Sequence, residues 1–246
     1  MKRGGYIFVC LMLFFSLMLP LCVSAEDDAP VVLESRIIES FDPETKASDW
    51  VVVGSKFSAK DYPKMALAKG WPEALYGSNR EGKDLEVLGL NASFVRQGYN
   101  SIEIIPVKKE SDGTWEPTPI ALPGKVKTLD LWVWGSNYDY YMDVHVSDYE
   151  GVVHVLRLGS LKYIGWKNLK VDIPSYIPQT ITYIPHHKGL ELVKFVIWTK
   201  PTENVRDYYA YIDQVKVLTD VFVNRFDGDT FTQPEFIQEV WSSAKN

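Results

Sequence analysis

Cysteine is almost missing from this chain. Its 246 residues include only two, Cys10 and Cys22, and both lie near the N terminus. If that segment is removed, the remaining chain has no thiol. This excludes a disulfide scaffold, a cysteine nucleophile and a cysteine-ligated metal site, so the stability of the remaining chain must come from its packed core.

Positive charge is also scarce. The chain has 26 Lys and Arg against 32 Asp and Glu, which gives a net charge of −6. Nucleic-acid binding needs a cationic surface that displaces counterions from phosphates. The composition therefore argues against a nucleic-acid partner.

Catalytic and metal-binding motifs are missing as well. The sequence contains no G-x-S-x-G nucleophile elbow and no H-E-x-x-H zinc motif. Carboxylates are abundant, but sequence spacing does not show whether two of them face each other across a cleft, as a glycosidase requires. We expect no enzyme activity, no catalytic residue and no cofactor.

Three groups of residues leave a metal site open as an alternative. His145 and His154 fall on neighbouring predicted strands and either approach each other as a metal pair or are plain surface residues. His186 and His187 form a loop pair with the same two readings. Asp227-Gly228-Asp229 is either part of a calcium site or a turn, and the turn is favoured because the other ligands of a calcium loop are missing. We expect no metal.

A single long hydrophobic run lies at the N terminus. Two basic residues precede an apolar stretch from Tyr6 to Leu19, and small side chains follow up to Ala25. This order is typical of a secretory signal peptide. We expect residues 1–25 to be removed by a cut between Ala25 and Glu26.

The alternatives to cleavage fit the sequence less well. A transmembrane anchor needs about 20 apolar residues, and this run is shorter. A lipoprotein would use Cys22, but the preceding Leu21 is bulky. Cleavage would remove two positive charges and leave a net charge of about −8. We expect the exported product to have no membrane association.

The mature part of the chain is predicted to be built from strands. Short segments rich in β-branched and aromatic residues alternate with turn residues and show no sustained helical period. The predicted strands cover residues 31–40, 50–53, 85–94, 101–107, 127–134, 140–147, 152–158, 169–173, 192–199 and 209–218. This pattern predicts an all-β fold over residues 26–230, namely a two-sheet antiparallel jelly-roll sandwich like that of galactose-binding domains and carbohydrate-binding modules.

Residues 58–84 interrupt the strand pattern. Repeated Gly and Pro predict an irregular loop, with a helical turn from Lys64 to Lys69. Structureless loops of this length are uncommon in compact domains and are often functional. The segment is therefore a candidate interaction surface.

The C-terminal residues 231–246 change character and predict a short amphipathic helix. Thr232 is placed to cap it, with Pro234 in the first turn and Phe231 packed on Phe236 as a hydrophobic staple. One face carries an apolar stripe formed by Phe236, Ile237, Val240 and Trp241. The stripe packs either on the sandwich or on a neighbouring subunit.

Aromatic residues cluster around the turn that follows the strand 127–134. These residues are Trp132, Trp134, Tyr138, Tyr140 and Tyr141. If the two tryptophans face outward, they form a flat shelf that binds a sugar or a protein partner. If they face inward, the strand is buried on both sides. The shelf and the apolar stripe are the candidate interaction surfaces.

Many short segments, taken in chain order, resemble the spirochaetal periplasmic flagellar filament outer layer (sheath) protein family, FlaA. The matching segments within residues 35–230 are Glu39 to Asp42, Trp50, Gly54 to Phe57, Tyr62-Pro63, Trp71-Pro72, Gly89 to Phe94, Gly98 to Asn100, Leu131 to Tyr138, Gly159 to Leu161, Gly165 to Leu169, Ile173-Pro174, Lys194 to Thr199, Tyr211 to Asp220 and Phe226 to Asp229. The resemblance implies a non-enzymatic structural protein of the periplasm that coats a flagellin core and supports filament shape and motility. It also implies that the partners are flagellin core proteins, other sheath proteins, and copies or paralogues of this chain. A secreted carbohydrate-binding jelly-roll module is the alternative.

Overall fold

The protein is an antiparallel β sandwich, and the chain crosses repeatedly between its two sheets. The computed structural model describes residues 31–78, 84–180, 189–222 and 227–244. The signal peptide prediction and the pair His186-His187 lie outside the described residues. The strands are β1 Leu33–Glu39, β2 Asp49–Gly54, β3 Lys64–Lys69, β4 Glu86–Ala92, β5 Ser101–Lys109, β6 Trp115–Pro117, β7 Ile120–Ala121, β8 Lys125–Ser136, β9 Tyr141–Ser147, β10 Val153–Ser160, β11 Ile164–Asp172, β12 Glu191–Trp198 and β13 Tyr208–Asp220.

The described strands form a six-stranded and a seven-stranded sheet. The six-stranded sheet has the order β11-β8-β13-β4-β3, and β1 also pairs with β13. The seven-stranded sheet has the order β10-β9-β12-β5-β2, with β6 on β5 and β7 on β12. All pairings are antiparallel. The predicted two-sheet jelly-roll sandwich is confirmed.

The core lies between the sheets and is formed by every second side chain of their strands. On β8, Leu129, Leu131 and Val133 are fully buried, and the residues between them face outward. On β9 of the facing sheet, alternate residues from Met142 to Val146 are likewise fully buried. Because side chains of a strand point to alternate faces, apolar residues at every second position close a core between two sheets.

A turn at Asp148 to Gly151 closes the hairpin between β9 and β10. The Asp148 amide donates to the Val152 carbonyl at 3.0 Å, and Gly151 has φ of 84°. Glycine adopts this left-handed conformation without the steric cost that a side chain brings. This turn sets the register between β9 and β10, in which Val155 lies opposite His145.

The predicted helical turn from Lys64 to Lys69 is wrong. These residues form β3, which pairs antiparallel with β4 along its whole length. Lys, Met, Ala and Leu are good helix formers, so the local propensity indicated a helix. Backbone pairing with β4 overrides that preference. The predicted loop 58–84 therefore contains an edge strand, followed by a short helix α1, Glu73–Tyr76.

Two helical elements follow β13 in the described C-terminal residues. A 3₁₀ helix spans Asp229–Thr232, and α2 spans Pro234–Ser243. The predicted cap Thr232 lies inside the 3₁₀ helix, and Gln233 occupies the cap position of α2 without a side-chain cap hydrogen bond. Because the 3₁₀ helix includes Thr232, the N-cap of α2 is Gln233, one residue later than predicted. No helix of the described residues is long and apolar enough to cross a membrane.

A buried carboxylate connects the first strands of the two sheets. Glu39, at the end of β1, is fully buried. Its oxygens accept hydrogen bonds from the Phe41, Ala47 and Ser48 amides at 2.9 to 3.2 Å and from Nε1 of Trp50 at 3.0 Å. These four donors satisfy a charge that would be costly to bury alone.

Glu39→Gln tests this carboxylate. The amide has the same shape, but its NH₂ group would face N–H donors and leave buried groups unsatisfied. We expect a loss of about 2–4 kcal/mol in the free energy of unfolding, measured by chemical denaturation. The control is Glu34→Gln on the same strand, where an exposed ion pair with Arg36 contributes little. An equal effect of both substitutions would contradict the role of Glu39.

Candidate interaction surfaces

The five aromatic residues predicted as one shelf are divided among three places. Trp132 and Trp134 lie on the outer face of the six-stranded sheet. Tyr138 and Tyr140 pack at the end of the sandwich, and Tyr141 lies on the outer face of the seven-stranded sheet. The five residues do not share one surface, because β8 and β9 are consecutive in sequence but belong to different sheets.

The two tryptophans of β8 are half-buried, a state between the two predicted alternatives. Trp134 meets Tyr211 of β13 edge to face, with ring centroids 5.5 Å apart. Nε1 of Trp132 is buried and has no hydrogen-bond partner among the residues that the structure describes. The outer face is therefore a partly covered aromatic surface and does not form a flat exposed shelf.

A polar row crosses the outer face of the same sheet next to Trp132. Asp130 of β8 accepts a hydrogen bond from Nδ2 of Asn168 at 2.7 Å and pairs with Nζ of Lys216 at 3.3 Å. These partners come from the two strands that flank β8. Polar cross-strand pairs of this kind stabilise a sheet and fix its register.

Asp213 of β13 lies opposite Trp132 and is 2% exposed. Burial raises the pKa of its carboxyl group to about 8, and repulsion from Asp42 acts in the same direction. The Gln214 amide donates to Oδ1 of Asp213 at 2.8 Å, which partly opposes the effect. Asp213 is a buried acid whose charge is disfavoured by its surroundings.

Three tyrosines pack together at one end of the sandwich. Tyr140 and Tyr208 are fully buried, with ring centroids 4.6 Å apart, and Tyr138 contacts both. The hydroxyl of Tyr140 donates to the Asn204 carbonyl at 2.7 Å. Buried aromatic contacts of this kind stabilise a fold, so the two predicted site residues Tyr138 and Tyr140 have a structural role here.

An open cleft lies on the outer face of the seven-stranded sheet, and the sequence patterns did not indicate it. Its volume is about 310 Å³. The lining residues are Tyr99, Tyr141, Asp143, His145, Val155 and Trp198. They come from β9, β10, β12 and the loop before β5, which are brought together only by the sheet.

Polar groups are fixed in place within this cleft. Asp143 is 5% exposed and forms an ion pair with Nε of Arg157, whose guanidinium lies 3.8 Å from the ring centre of Tyr141. Burial and the neighbouring Lys194 lower the pKa of His145, which therefore favours the neutral form. The cleft offers aromatic faces next to hydrogen-bonding groups.

The alternative of a metal pair at His145 and His154 is not supported. His145 lies on the outer face of its sheet, whereas His154 pairs in register with the buried Val146 and contacts Asp148 at 2.8 Å. Adjacent positions of a strand point to opposite faces, which separates the two rings. No cluster of three potential metal ligands occurs in the described part of the chain.

The Asp227-Gly228-Asp229 segment forms a turn, as the sequence favoured. Gly228 has φ of 77° and precedes the 3₁₀ helix. Phe231 and Phe236 then contact each other edge to face at 5.2 Å between ring centroids, as predicted for a staple.

The apolar stripe of α2 is not packed on the sandwich. None of the described residues of α2 is buried, and Trp241 is 71% exposed. Phe236 and Ile237 are only partly covered. Of the two alternatives, packing on the chain's own sandwich is not observed, and contact with a neighbouring subunit stays a prediction.

The chain belongs to a family that is recognised over most of its length. The model of the family described as flagellar filament outer layer protein FlaA matches residues 38–227, which include every described strand from β2 to β13. The chain belongs to this family. A relative in Brachyspira hyodysenteriae, a flagellar filament outer layer-like protein, is 26% identical over 169 residues, which are 68% of this chain and 73% of the relative.

Solved structures with a similar arrangement of strands include carbohydrate-binding modules. One is TmCBM61 in complex with beta-1,4-galactotriose, at 16% identity and a TM-score of 0.38, covering 70% of this chain and 88% of the module. Another is the family 11 module of the cellulase Lic26A-Cel5E of Clostridium thermocellum, at 10% identity and a TM-score of 0.40, covering 80% of this chain and all of the module. These likenesses are too distant to support a conclusion about ligands.

Asp213→Asn tests the buried acid on the outer face. The raised pKa means that the native state holds a proton which the unfolded state loses near its ordinary pKa. The contribution of Asp213 to the free energy of unfolding is fully present below about pH 4 and is lost as the pH rises to about 8. The asparagine variant should therefore be more stable than wild type at about pH 8, on the order of 5 kcal/mol, with little difference at about pH 4.

Thermal unfolding of both proteins across this pH range measures the difference. The control is Asp172→Asn, an exposed acid at the end of β11, which should follow the wild-type curve. A constant difference between Asp213→Asn and wild type at all pH values would show that Asp213 does not titrate as expected.

Proposed function

We propose that this protein is a non-enzymatic structural subunit of the sheath around the flagellin core of the periplasmic flagellar filament. In this role it is exported, loses residues 1–25 and contributes to filament shape and motility. The family match over residues 38–227 is the observation on which the proposal rests. The predicted signal peptide agrees with a periplasmic location.

The architecture supports a structural role. A sheath subunit needs a rigid body, and the core of this sandwich is closed by fully buried side chains from both sheets. It also needs surfaces for lateral contacts, and the partly covered tryptophan face and the exposed stripe of α2 are such surfaces. We infer that the partners are flagellin core proteins, other sheath proteins, and copies or paralogues of this chain.

Co-sedimentation with filaments tests the sheath role. Periplasmic flagella purified from wild-type cells should carry this protein, and its deletion should change filament shape and reduce motility. The matched control is a strain without flagellin, in which the protein should stay in the soluble periplasmic fraction. Recovery in the soluble fraction of both strains would contradict the proposal.

A second candidate function is carbohydrate binding in the open cleft. The favouring observation is the combination of Tyr141 and Trp198 with the fixed ion pair of Asp143 and Arg157. Sugars stack on aromatic faces while their hydroxyls bond to neighbouring charged groups. The exposed Tyr99 completes the rim of the cleft.

Thermal shift with soluble oligosaccharides distinguishes this candidate. A ligand of the cleft should raise the melting temperature of the wild type. The shift should disappear in Tyr99→Ala, whose side chain is 68% exposed and dispensable for folding. The control Tyr176→Ala removes a ring that is 74% exposed and does not line the cleft, and it should keep the shift. Loss of the shift in both variants, or its absence from wild type, counts against this function.

A further inference from the structure

The two ends of the sandwich present different chain segments. Strand β13 runs from Tyr208 to Asp220, a length of about 40 Å at 3.3 Å per residue. The loop 199–207 leads into its first residue, and the C-terminal segment leaves from its last. The segments at one end are therefore remote from the attachment point of the other.

Two loops are joined at the end where β13 begins. In the first, residues 55–60, the Ala59 amide donates to the Ser93 carbonyl at 2.8 Å. In the second, residues 93–100, the Val95 amide donates to the Phe57 carbonyl at 2.9 Å. The Phe94 amide also donates to the carbonyl of Val205 in the loop before β13. We call residues 55–60 and 93–100 the cationic loop pair.

The cationic loop pair concentrates positive charge in an acidic protein. Lys56, Lys60 and Arg96 are exposed, and the segments 55–60 and 93–100 contain no carboxylate, while Asp61 directly follows the first of them. Lys56 and Arg96 lie on the Phe57 ring, at 5.3 and 5.0 Å from its centre. None of the three cations forms an ion pair with a described residue. Their charge is therefore available to an outside partner.

Apolar side chains are exposed beside these cations. Val95 is 70% exposed and Tyr99 is 68% exposed. Both project from a loop that is fixed by backbone hydrogen bonds, so a partner would not have to order it. The loop pair thus combines positive charge with apolar area on a preorganised surface.

The helix α2 has the complementary chemistry. Residues 227–244 contain four carboxylates and no basic residue. Glu235 and Glu239, one helical turn apart, border the apolar stripe on one side. The stripe itself includes Val240 and Trp241, which are 40% and 71% exposed.

We propose that α2 of one copy docks on the cationic loop pair of a second copy, so that the subunits join head to tail. Trp241 and Val240 would cover Val95 and Tyr99, while Glu235 and Glu239 would pair with Lys56 and Arg96. Opposite charges would fix the orientation and speed the encounter. The proposal deepens the sheath function and rests on it.

The placement of the two surfaces explains why the contact would extend as an array. A surface that binds a different surface of the next copy makes a heterologous contact, which does not close unless the rotation forms a ring. The described residues of α2 are not buried against their own chain. The helix is therefore available to a neighbour.

Complementary charge reversals test the contact in solution. We expect Glu235→Lys with Glu239→Lys, and separately Lys56→Glu with Arg96→Glu, to weaken self-association of the exported protein about tenfold or more. An equimolar mixture of the two variants should associate again, because the lysine helix of one matches the glutamate loops of the other. Sedimentation velocity at low and high ionic strength measures these states, and salt should weaken the wild-type contact.

A matched control separates this contact from a general effect of charge. Glu44→Lys with Glu116→Lys makes the same change in net charge as the helix variant, Glu235→Lys with Glu239→Lys, but at exposed positions outside both surfaces. Its self-association should equal that of wild type. Thermal unfolding of every variant should stay close to wild type, because all substituted side chains are exposed.

The outcomes distinguish this contact from the sheath function itself. A mixture that stays monomeric, or a wild type that does not associate, would overturn the head-to-tail contact even if the protein still co-sediments with filaments. In that case α2 would face the flagellin core, and Glu235→Lys with Glu239→Lys would reduce co-sedimentation. Self-association with the expected charge dependence but without co-sedimentation would keep the contact and reject the sheath function.

Discussion

The carboxylate of Glu39 is the interaction on which the closure of this sandwich depends. It ends a strand of one sheet and binds the indole of Trp50, which belongs to the first strand of the other. It also binds the amide of Phe41, whose φ of 63° is unfavourable for a bulky side chain. The ring of Phe41 then packs on Trp50, and Trp50 on Phe195. The Glu39 carboxylate thus links the end of β1 in one sheet to the start of β2 in the other, where the chain crosses between the sheets.

The same crossing between sheets decides where the interaction surfaces lie. Consecutive strands β8 and β9 belong to opposite sheets, which stack about 10 Å apart. Trp134 and Tyr141, seven residues apart in the chain, therefore face solvent on opposite sides of the molecule. One face carries half-buried tryptophans and the buried acid Asp213, and the other carries the cleft. The two faces of the sandwich therefore carry different chemistry on opposite sides of one core.

Several features followed from local patterns because they depend on neighbouring residues. Apolar residues recur at every second position of β8 and β9, as in strands that line a core, and the residues Asp148 to Gly151 favour a turn between β9 and β10. The helix at the C terminus was also predicted, since its apolar stripe and its staple lie within a few turns. The strand β3 could not be predicted in the same way. Its residues favour a helix, and only pairing with β4 makes them a strand.

Composition, strand-like patterns and the order of motifs are properties of the chain, so the class of fold, the lack of cysteine after Cys22, the acidic balance and the resemblance to the filament outer layer family could all be read without coordinates. Which residues meet depends on how the strands pair and pack. The cleft joins Tyr99 with Tyr141 and Trp198, and the pKa of Asp213 depends on burial and on Asp42, more than 170 positions away. Contacts between distant residues arise from strand pairing and register, which no local pattern specifies.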